Sequence, residues 1–455
     1  MKLLLFSAFL LFFLHVNSQQ LPEFKALRYD EDYTVLKRDT NESFYRKIKY
    51  QSLSENGNTY LSMGGEVRYQ YFNIRNEDWG DAPKDGDGFL FSRFLAHADL
   101  HAGKNFRLFG QLQGSMANGK TSGTSPVDEN PLDLHQAFFD LNTSSKNVIL
   151  RVGRQELSYG SQRLISVREL PNNRQAFDVA RSIFSFGTYR VDAFYGRYVT
   201  AKKEIFDDHS NKDINLWGAY LVKNKVPFFR NVDLYYFGLS KANAVFEDSA
   251  GKERRHTVGS RIWGGNGGWK YDFEGVYQFG KFTGKTISAW TLSGNASYKF
   301  ARATLQPEIG IKTEVISGDR QKGDGRLQTF NSLFPKGAYF GLAALIGPSN
   351  LFDIHPSIVF ELIDDKLSWT IDNDVFWRYS AKDGIYAPNV SLIHASGNSP
   401  NKFIGQQLAT DLTFTPNQFL LLRAETTWFK TGAYLKDVSA GKNILFGAVT
   451  LQVKF

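Results

Sequence analysis

The sequence predicts an all-β fold: a closed, transmembrane antiparallel β-barrel of about 18 strands, with ~16 as the alternative count. Three observations predict it. Segments of about 10 residues alternate apolar and polar along much of the chain, and that is the length a tilted strand needs to cross a bilayer. Aromatic residues make up 15% of the 455 residues, with 39 Phe, 21 Tyr and 8 Trp, although the mean hydropathy is slightly polar at −0.34. A barrel reconciles the two, because one face of each strand meets lipid and aromatic girdles sit at both interfaces. The last segment is the third observation. Leu445, Gly447, Val449, Leu451, Val453 and Phe455 share one face, and Thr450, Gln452 and Lys454 share the other. Such a strand must pair with the first to close the barrel, and its ending on Phe455 suits recognition by the barrel-assembly machinery.

Residues 1–18 read as a secretory signal. Lys2 supplies the positive start, Leu3 to Leu14 is apolar apart from Ser7, and Val16-Asn17-Ser18 is a small-residue cleavage site. The apolar run is shorter than the ~20 residues of a spanning helix. The expected destination is the outer membrane of a Gram-negative bacterium. Residues 19–58 are charged and lack strand alternation, so they form a periplasmic tail or a plug in the lumen. Residues 59–455 form the barrel. The chain has 0 Cys. This removes thiol chemistry and cysteine metal sites, and the closed hydrogen-bond network of a barrel takes the place of disulfides. The formal charge is +8, and removing Lys2 with the signal leaves +7.

Alternation is clearest in four segments. In Leu61–Tyr71, Ser62, Glu66, Arg68 and Gln70 oppose Leu61, Met63, Val67, Tyr69 and Tyr71. In Trp269–Phe279, Lys270, Asp272, Glu274 and Gln278 form the polar set. In Leu305–Val315 it is Gln306, Glu308, Lys312 and Glu314, and in Leu367–Tyr379 it is Ser368, Thr370, Asp372, Asp374 and Arg378. Further strands are expected near residues 95, 111, 138, 151, 165, 178, 192, 219, 236, 259, 294, 342, 357, 408 and 424. A charged side chain facing lipid at mid-bilayer costs ~2–4 kcal/mol, so the charged sets must face inward and the lumen should be wet. Asn118–Asn130, Lys202–Asp213, Gly318–Pro335 and Ala381–Asn401 are long polar loops, either extracellular or folded into the pore. Gly264 to Gly267 is a short periplasmic turn. Trp263, Trp269, Trp290, Trp369, Trp377 and Trp428 are girdle candidates.

The chemistry concentrates between Asn147 and Arg190. Arg151, Arg154, Arg163, Arg168, Arg174, Arg181 and Arg190 occur there with Glu156, Glu169, Asp178 and Asp192. Adjacent strands lie ~4.8 Å apart, so arginines at similar depth would form a positive belt. Guanidinium groups bind carboxylates bidentately and stay charged. Two readings follow: a selective belt for anions, as charged rings set pore selectivity, or an internal salt-bridge network that stiffens the wall. Glu66 and Arg68 join the pore-lining candidates from the first strand.

Four landmarks carry a resemblance. They are Leu27-Arg-Tyr-Asp-Glu-Asp-Tyr33; Gly153-Arg-Gln-Glu-Leu-Ser-Tyr-Gly160 with Arg163-Leu164; Asn173-Arg-Gln-Ala-Phe-Asp178 with Arg181; and Ser317-Gly-Asp-Arg-Gln-Lys-Gly-Asp-Gly325 with Leu327-Gln-Thr-Phe330 and Leu333-Phe-Pro335. In this order they resemble the alginate-export outer-membrane porins. The resemblance implies an 18-stranded monomeric barrel that passes an anionic uronic-acid polysaccharide. It also implies that Arg154, Arg163, Arg174, Asp178 and Arg181 line the narrow part. Gln19–Asn58 and Ala381–Asn401 are the candidate plugging or gating segments.

Other signals are weak. The 8 histidines show no metal-ligand spacing. Asp319 and Asp324 with their glycines read as a polar loop before they read as a Ca²⁺ site. No Ser and His pair is forced together, so no enzyme is indicated, and the signal peptide disfavours nucleic acid. The expected function is diffusion of anionic, carbohydrate-like solutes, without a cofactor. Membrane lipid, the assembly machinery and periplasmic polysaccharide-handling proteins are the expected partners. An unselective porin or structural barrel is the first alternative, and an outer-membrane hydrolase the second.

Overall fold

The computed structural model describes residues 21–38, 43–84, 86–143, 145 and 147–455. The expected signal, residues 1–18, lies outside the described residues. The barrel has 18 strands. The first six are β1 Tyr60–Arg75, β2 Phe89–Ala102, β3 Phe106–Asn118, β4 Asn130–Asn142, β5 Val148–Gln155 and β6 Phe177–Phe186. Next come β7 Tyr189–Thr200, β8 His209–Val226, β9 Arg230–Phe246, β10 Ser249–Asn266, β11 Trp269–Phe282 and β12 Lys285–Lys299. The last are β13 Glu308–Ile316, β14 Leu351–Ile363, β15 Leu367–Arg378, β16 Phe403–Asn417, β17 Leu420–Thr431 and β18 Ile444–Lys454. Closure is made by β18 against β1, antiparallel from Glu66 opposite Lys454 to Arg75 opposite Leu445. Gly65 and Phe455 extend the seam with two backbone hydrogen bonds of 2.8 and 3.0 Å. A closed sheet leaves no unpaired edge, which is what a bilayer demands.

Burial is inverted relative to a water-soluble domain. On β1, Ser62, Glu66, Arg68 and Gln70 are buried, while Met63, Tyr69 and Tyr71 are exposed. On β11, Glu274 and Gln278 are buried, and Trp269, Phe273, Tyr277 and Phe279 are exposed. The charged phase therefore faces inward and the apolar phase faces outward. Trp269, Trp369 and Trp428 stand exposed on the outer wall. Trp263 does not join them: it shares the inward phase of β10, with its indole nitrogen donating to Asp233 at 3.0 Å.

The two ends of the barrel differ. Residues 103–105, 187–188, 267–268, 364–366 and 418–419 turn tightly at one end. Of the expected turn at 264–267, most belongs to β10, and the reversal is made by Gly267 and Gly268 at φ 59° and 93°. At the other end, residues 156–176, 317–350 and 379–402 form long connections, and residues 432–443 carry a short helix, Ala433–Val438.

Two expected strands, near residues 165 and 342, are not strands. They lie within 156–176 and 317–350, which fold into the barrel and meet each other. Ile165 bridges Phe334 in parallel, the Ser166 amide donates to the Phe334 carbonyl at 3.0 Å, and the Phe334 amide donates to that of Leu164 at 2.8 Å. Leu157, Ile165, Phe330, Phe334 and Phe340 pack with Phe177, Phe237, Phe376 and Phe429 of the wall. Leu342 joins Phe72, Phe89, Phe91 and Phe446. The expectation of a uniformly wet lumen is corrected accordingly, because an apolar core occupies part of it. Two boundaries also shift. The loop after β7 ends at residue 208, and β13 begins at Glu308 rather than Leu305.

Residues 21–38 and 43–58 lie against the end with the tight turns. The helix Phe44–Lys49 is capped by Ser43, whose side chain accepts from the Arg46 amide. Arg28 spans the closure seam by donating to Gly65 O at 3.0 Å and to Phe455 O at 3.1 Å, and Lys49 donates to Phe455 O at 3.1 Å. Tyr29 is buried, packs edge-on to Phe109 and Phe138, and donates its hydroxyl to Glu156 O at 2.8 Å.

Candidate functional site

The inward phase of β1 to β7 and the connection 156–176 carry arginines, each placed by its strand register. Nearest the tight turns, Asp99 on β2 takes two hydrogen bonds of 2.7 Å from Arg107 on β3. Arg107 also stands 3.6 Å from Asp140 on β4. Arg151 on β5 donates to both oxygens of Asp140, at 2.7 and 2.8 Å, and its guanidinium covers the rings of Tyr29 and Phe138 at 4.2 Å each. Arg181 on β6 pairs with Asp192 on β7, which Arg190 reaches at 3.3 Å.

A second row lies further along the barrel. Arg93 contacts Glu66 and Glu169 at 2.6 Å each. Arg174 reaches Glu169 at 3.3 Å and Glu156 at 2.8 Å, and His135 shares Glu156 at 2.8 Å. Arg68 donates to the carbonyls of Glu169 and Pro171 at 2.8 and 2.9 Å. Arg154 meets Asp178 at 3.0 Å and Asp133 at 3.7 Å. Arg163 crosses to another part of the wall, where it contacts Glu274 at 3.0 Å, the Tyr339 hydroxyl at 2.6 Å, and Glu314. The expected residues Glu66, Arg68, Arg151, Arg154, Arg163, Arg174, Asp178, Arg181 and Arg190 thus enter networks of alternating sign. They do not form a row of bare cations. Burial alone would raise the Glu169 carboxyl, but Arg174, Arg93 and Arg68 hold it well below the usual carboxylate range.

Arg168 is different. It lies in the connection at φ 58°, its amide donates to Ser166 Oγ at 3.0 Å, and its guanidinium makes no ion pair among the described residues. It lines a narrow pocket, with a cavity volume of about 30 Å³, together with His135, Arg154, Asn173, Arg174 and Tyr198. Asp208, on the same pocket, is pushed up to about 6 by burial, with the Asp133 charge adding to it. Three arginines line this pocket, two of them already ion-paired, and guanidinium groups bind carboxylates through charge-assisted bonds. Arg168 belonged to the arginine cluster in the sequence. Its lack of a partner could not be read there, because pairing depends on which wall a loop meets.

The arc β13 to β17 carries the opposite excess: Glu314, Asp353, Asp372, Asp374, Asp411 and Glu425 against Lys312, His355, Arg378 and Arg423. Donor atoms of His355, Asp372 and Asp374 lie within 4.8 Å of one another. Asp78, Asp81 and His394, and also Asp133, Asp207 and Asp208, form similar groups. Each group joins residues distant in sequence, so spacing along the chain could not reveal them.

The sequence profile of the alginate export family matches residues 59–443. No curated protein sequence matches the chain. Among solved structures, a BenF-like porin from Pseudomonas fluorescens Pf-5 is similar at 9% identity and a TM-score of 0.59, over 87% of this chain and 98% of that one. Pseudomonas aeruginosa OpdK, solved with vanillate, is similar at 10% identity and a TM-score of 0.58, over 87% and 98%. P. aeruginosa OccK2 (OpdF), solved in complex with glucuronate, is similar at 12% identity and a TM-score of 0.56, over 86% and 98%.

Proposed function

The chain belongs to the alginate export family, and from that premise we propose that this outer-membrane channel passes anionic, carbohydrate-like solutes such as uronic-acid polysaccharide by diffusion. The observation that carries the reading is the pocket where unpaired Arg168 meets Arg154 and Arg174. A fixed lattice of ion pairs holds these guanidiniums in place, so a carboxylate finds them preorganised. The acids beside them moderate the attraction, and a solute that binds can also leave. The glucuronate and vanillate of the similar porins are both carboxylates, which fits this chemistry. Residues 21–58 act as a plug in this reading, with Tyr29 seated under Arg151.

Reversal potential in a KCl gradient across a planar bilayer tests the proposal. The expected current is anion-selective and blocked by added oligouronate, and Arg154→Glu with Arg174→Glu weakens both properties. A current of equal selectivity in that variant would favour an unselective porin. Ester cleavage by the purified protein, lost on changing one serine, would favour a hydrolase.

A further inference from the structure

We propose that the outer wall of β9 to β12 binds a phosphorylated glycolipid of the surrounding membrane, with its phosphates held by Lys252, Arg254 and Lys281 and its acyl chains laid along the strands below. On β10 the inward phase is Glu253, Arg255 and Thr257, all buried, so Lys252, Arg254 and His256 point outward. On β11 the inward phase is Val276, Gln278 and Phe282, so Tyr277, Phe279 and Lys281 point outward. The register sets Arg254 directly opposite Lys281, and His256 opposite Phe279. Lys252, Arg254 and Lys281 are exposed, and none makes an ion pair among the described residues. Lys281 donates to Thr286 Oγ1 at 3.0 Å and keeps its remaining ammonium protons. Like charges directly opposite on a sheet repel. Nothing on this wall relieves the repulsion, because the acidic residues of β9 to β12, Asp233, Glu253, Asp272 and Glu274, all belong to the inward phase.

The height of the cluster is the second observation. Below it the wall is an aromatic belt. The His256 ring stacks against Tyr236 at 6.0 Å and Phe279 at 5.3 Å. Trp217 reaches it edge-on at 6.1 Å across Gly238, whose missing side chain makes room for the indole. The Trp217 indole nitrogen donates to the Tyr236 hydroxyl at 3.2 Å. Exposed Val258, Phe273 and Leu292 continue the wall toward mid-bilayer. Aromatic belts mark the membrane interface. Arg254 and Lys281 stand two residues beyond this one, ~7 Å along the strand, at the depth of headgroup phosphates. This is the end with the long connections, which in such barrels faces outside. The turns above the cluster, 247–248 and 283–284, are tight, so no long connection rises from these strand ends. The outer leaflet of a Gram-negative outer membrane presents glycolipid with several acyl chains and more than one phosphate on a sugar headgroup. Cations clustered on adjacent strands match such a headgroup better than the single charge of a phospholipid. None of these side chains faces the lumen, so the site is independent of the solute that passes.

Native mass spectrometry of the detergent-purified protein tests the site with diphosphoryl lipid A, the same lipid freed of its phosphates, and phosphatidylglycerol. Wild type should bind one diphosphoryl lipid A at least ~10-fold more tightly than either other lipid. A variant combining Lys252→Gln, Arg254→Gln and Lys281→Gln should lose that margin. Lys430→Gln should keep it, since Lys430 stands outward on β17, opposite Gln406 and away from the cluster. Equal binding of the dephosphorylated lipid overturns the proposal, because acyl contact alone then suffices. Equal binding of phosphatidylglycerol overturns it too, because any anionic lipid then serves. An undiminished margin in the combined variant, or its loss in Lys430→Gln, places the lipid elsewhere and also overturns it. Where the combined variant fails to assemble, judged by the heat-dependent gel shift of the folded barrel, Arg254→Gln alone is measured with the same readings.

Discussion

The arc from β1 to β7 and the arc from β13 to β17 bury charge in different ways. On the first, arginine and carboxylate alternate from strand to strand: Asp99, Arg107, Asp140 and Arg151 form one row, and Glu66, Arg93, Glu169, Arg174 and Glu156 another. On the second, Asp353, Asp372 and Asp374 crowd one imidazole. The first arc is a neutralised lattice that leaves Arg168 over, and the second is a wall short of cations. The lumen is therefore polarised across its width. Under the proposed function, a carboxylated solute would be drawn to one side and repelled from the other.

The sharpest way to break the comparison is to remove one partner on each arc. Arg93→Met strands Glu66 and should destabilise the barrel by ~3–5 kcal/mol, the cost of an orphaned buried charge. Asp353→Asn relieves like-charge crowding with Glu314, Asp372 and Asp374 and should be neutral or stabilising. Urea midpoints of the two variants check both. A smaller effect is expected at the plug. Tyr29→Ala should weaken docking of residues 21–58 by ~3 kcal/mol, as loss of a buried aromatic does, and raise single-channel conductance. Unchanged conductance would exclude the plug. Smaller again, Arg168→Glu should cut anion over cation permeability by ~3–10-fold, since pore charges set selectivity. Arg168→Ala should leave the urea midpoint nearly unchanged because no ion pair is lost.

A pH dependence of plug docking is also expected. Burial, reinforced by the Arg28 charge, lowers Lys49 to about 7. An undocked lysine keeps its proton to about pH 10.4, so between those values the undocked state binds more protons, and docking strengthens as pH rises. The full penalty applies below about 7. Proteolysis of residues 21–58 should be slower at about pH 9 than at about pH 6, and Lys49→Met should flatten the difference.

The strands were legible because a bilayer punishes charge on one face and so imposes period 2 on the residues. The same logic misled near 165 and 342. Leu164, Ile165 and Val167, and likewise Tyr339, Phe340 and Leu342, are buried like strand residues, but against the inner wall and each other. Periodicity reports that a segment has an apolar side and is silent about what covers it. Of the site, the arginine cluster was visible as composition. Its partners were not: Arg163 meets Glu274 and Glu314, which lie 111 and 151 residues away. His355 looked like one histidine among several, since two of its carboxylate neighbours, Asp372 and Asp374, lie on the next strand.

The sequence by itself determined the barrel, its inward charged phase and the concentration of arginine, because each is a local consequence of placing residues against lipid or water. The tertiary structure alone decided which charges cancel, which guanidinium is left over, and where carboxylates crowd without relief. Those outcomes depend on closure of β18 against β1 and on two connections folding inward, and distances across a lumen are set by register and packing between segments far apart in the chain.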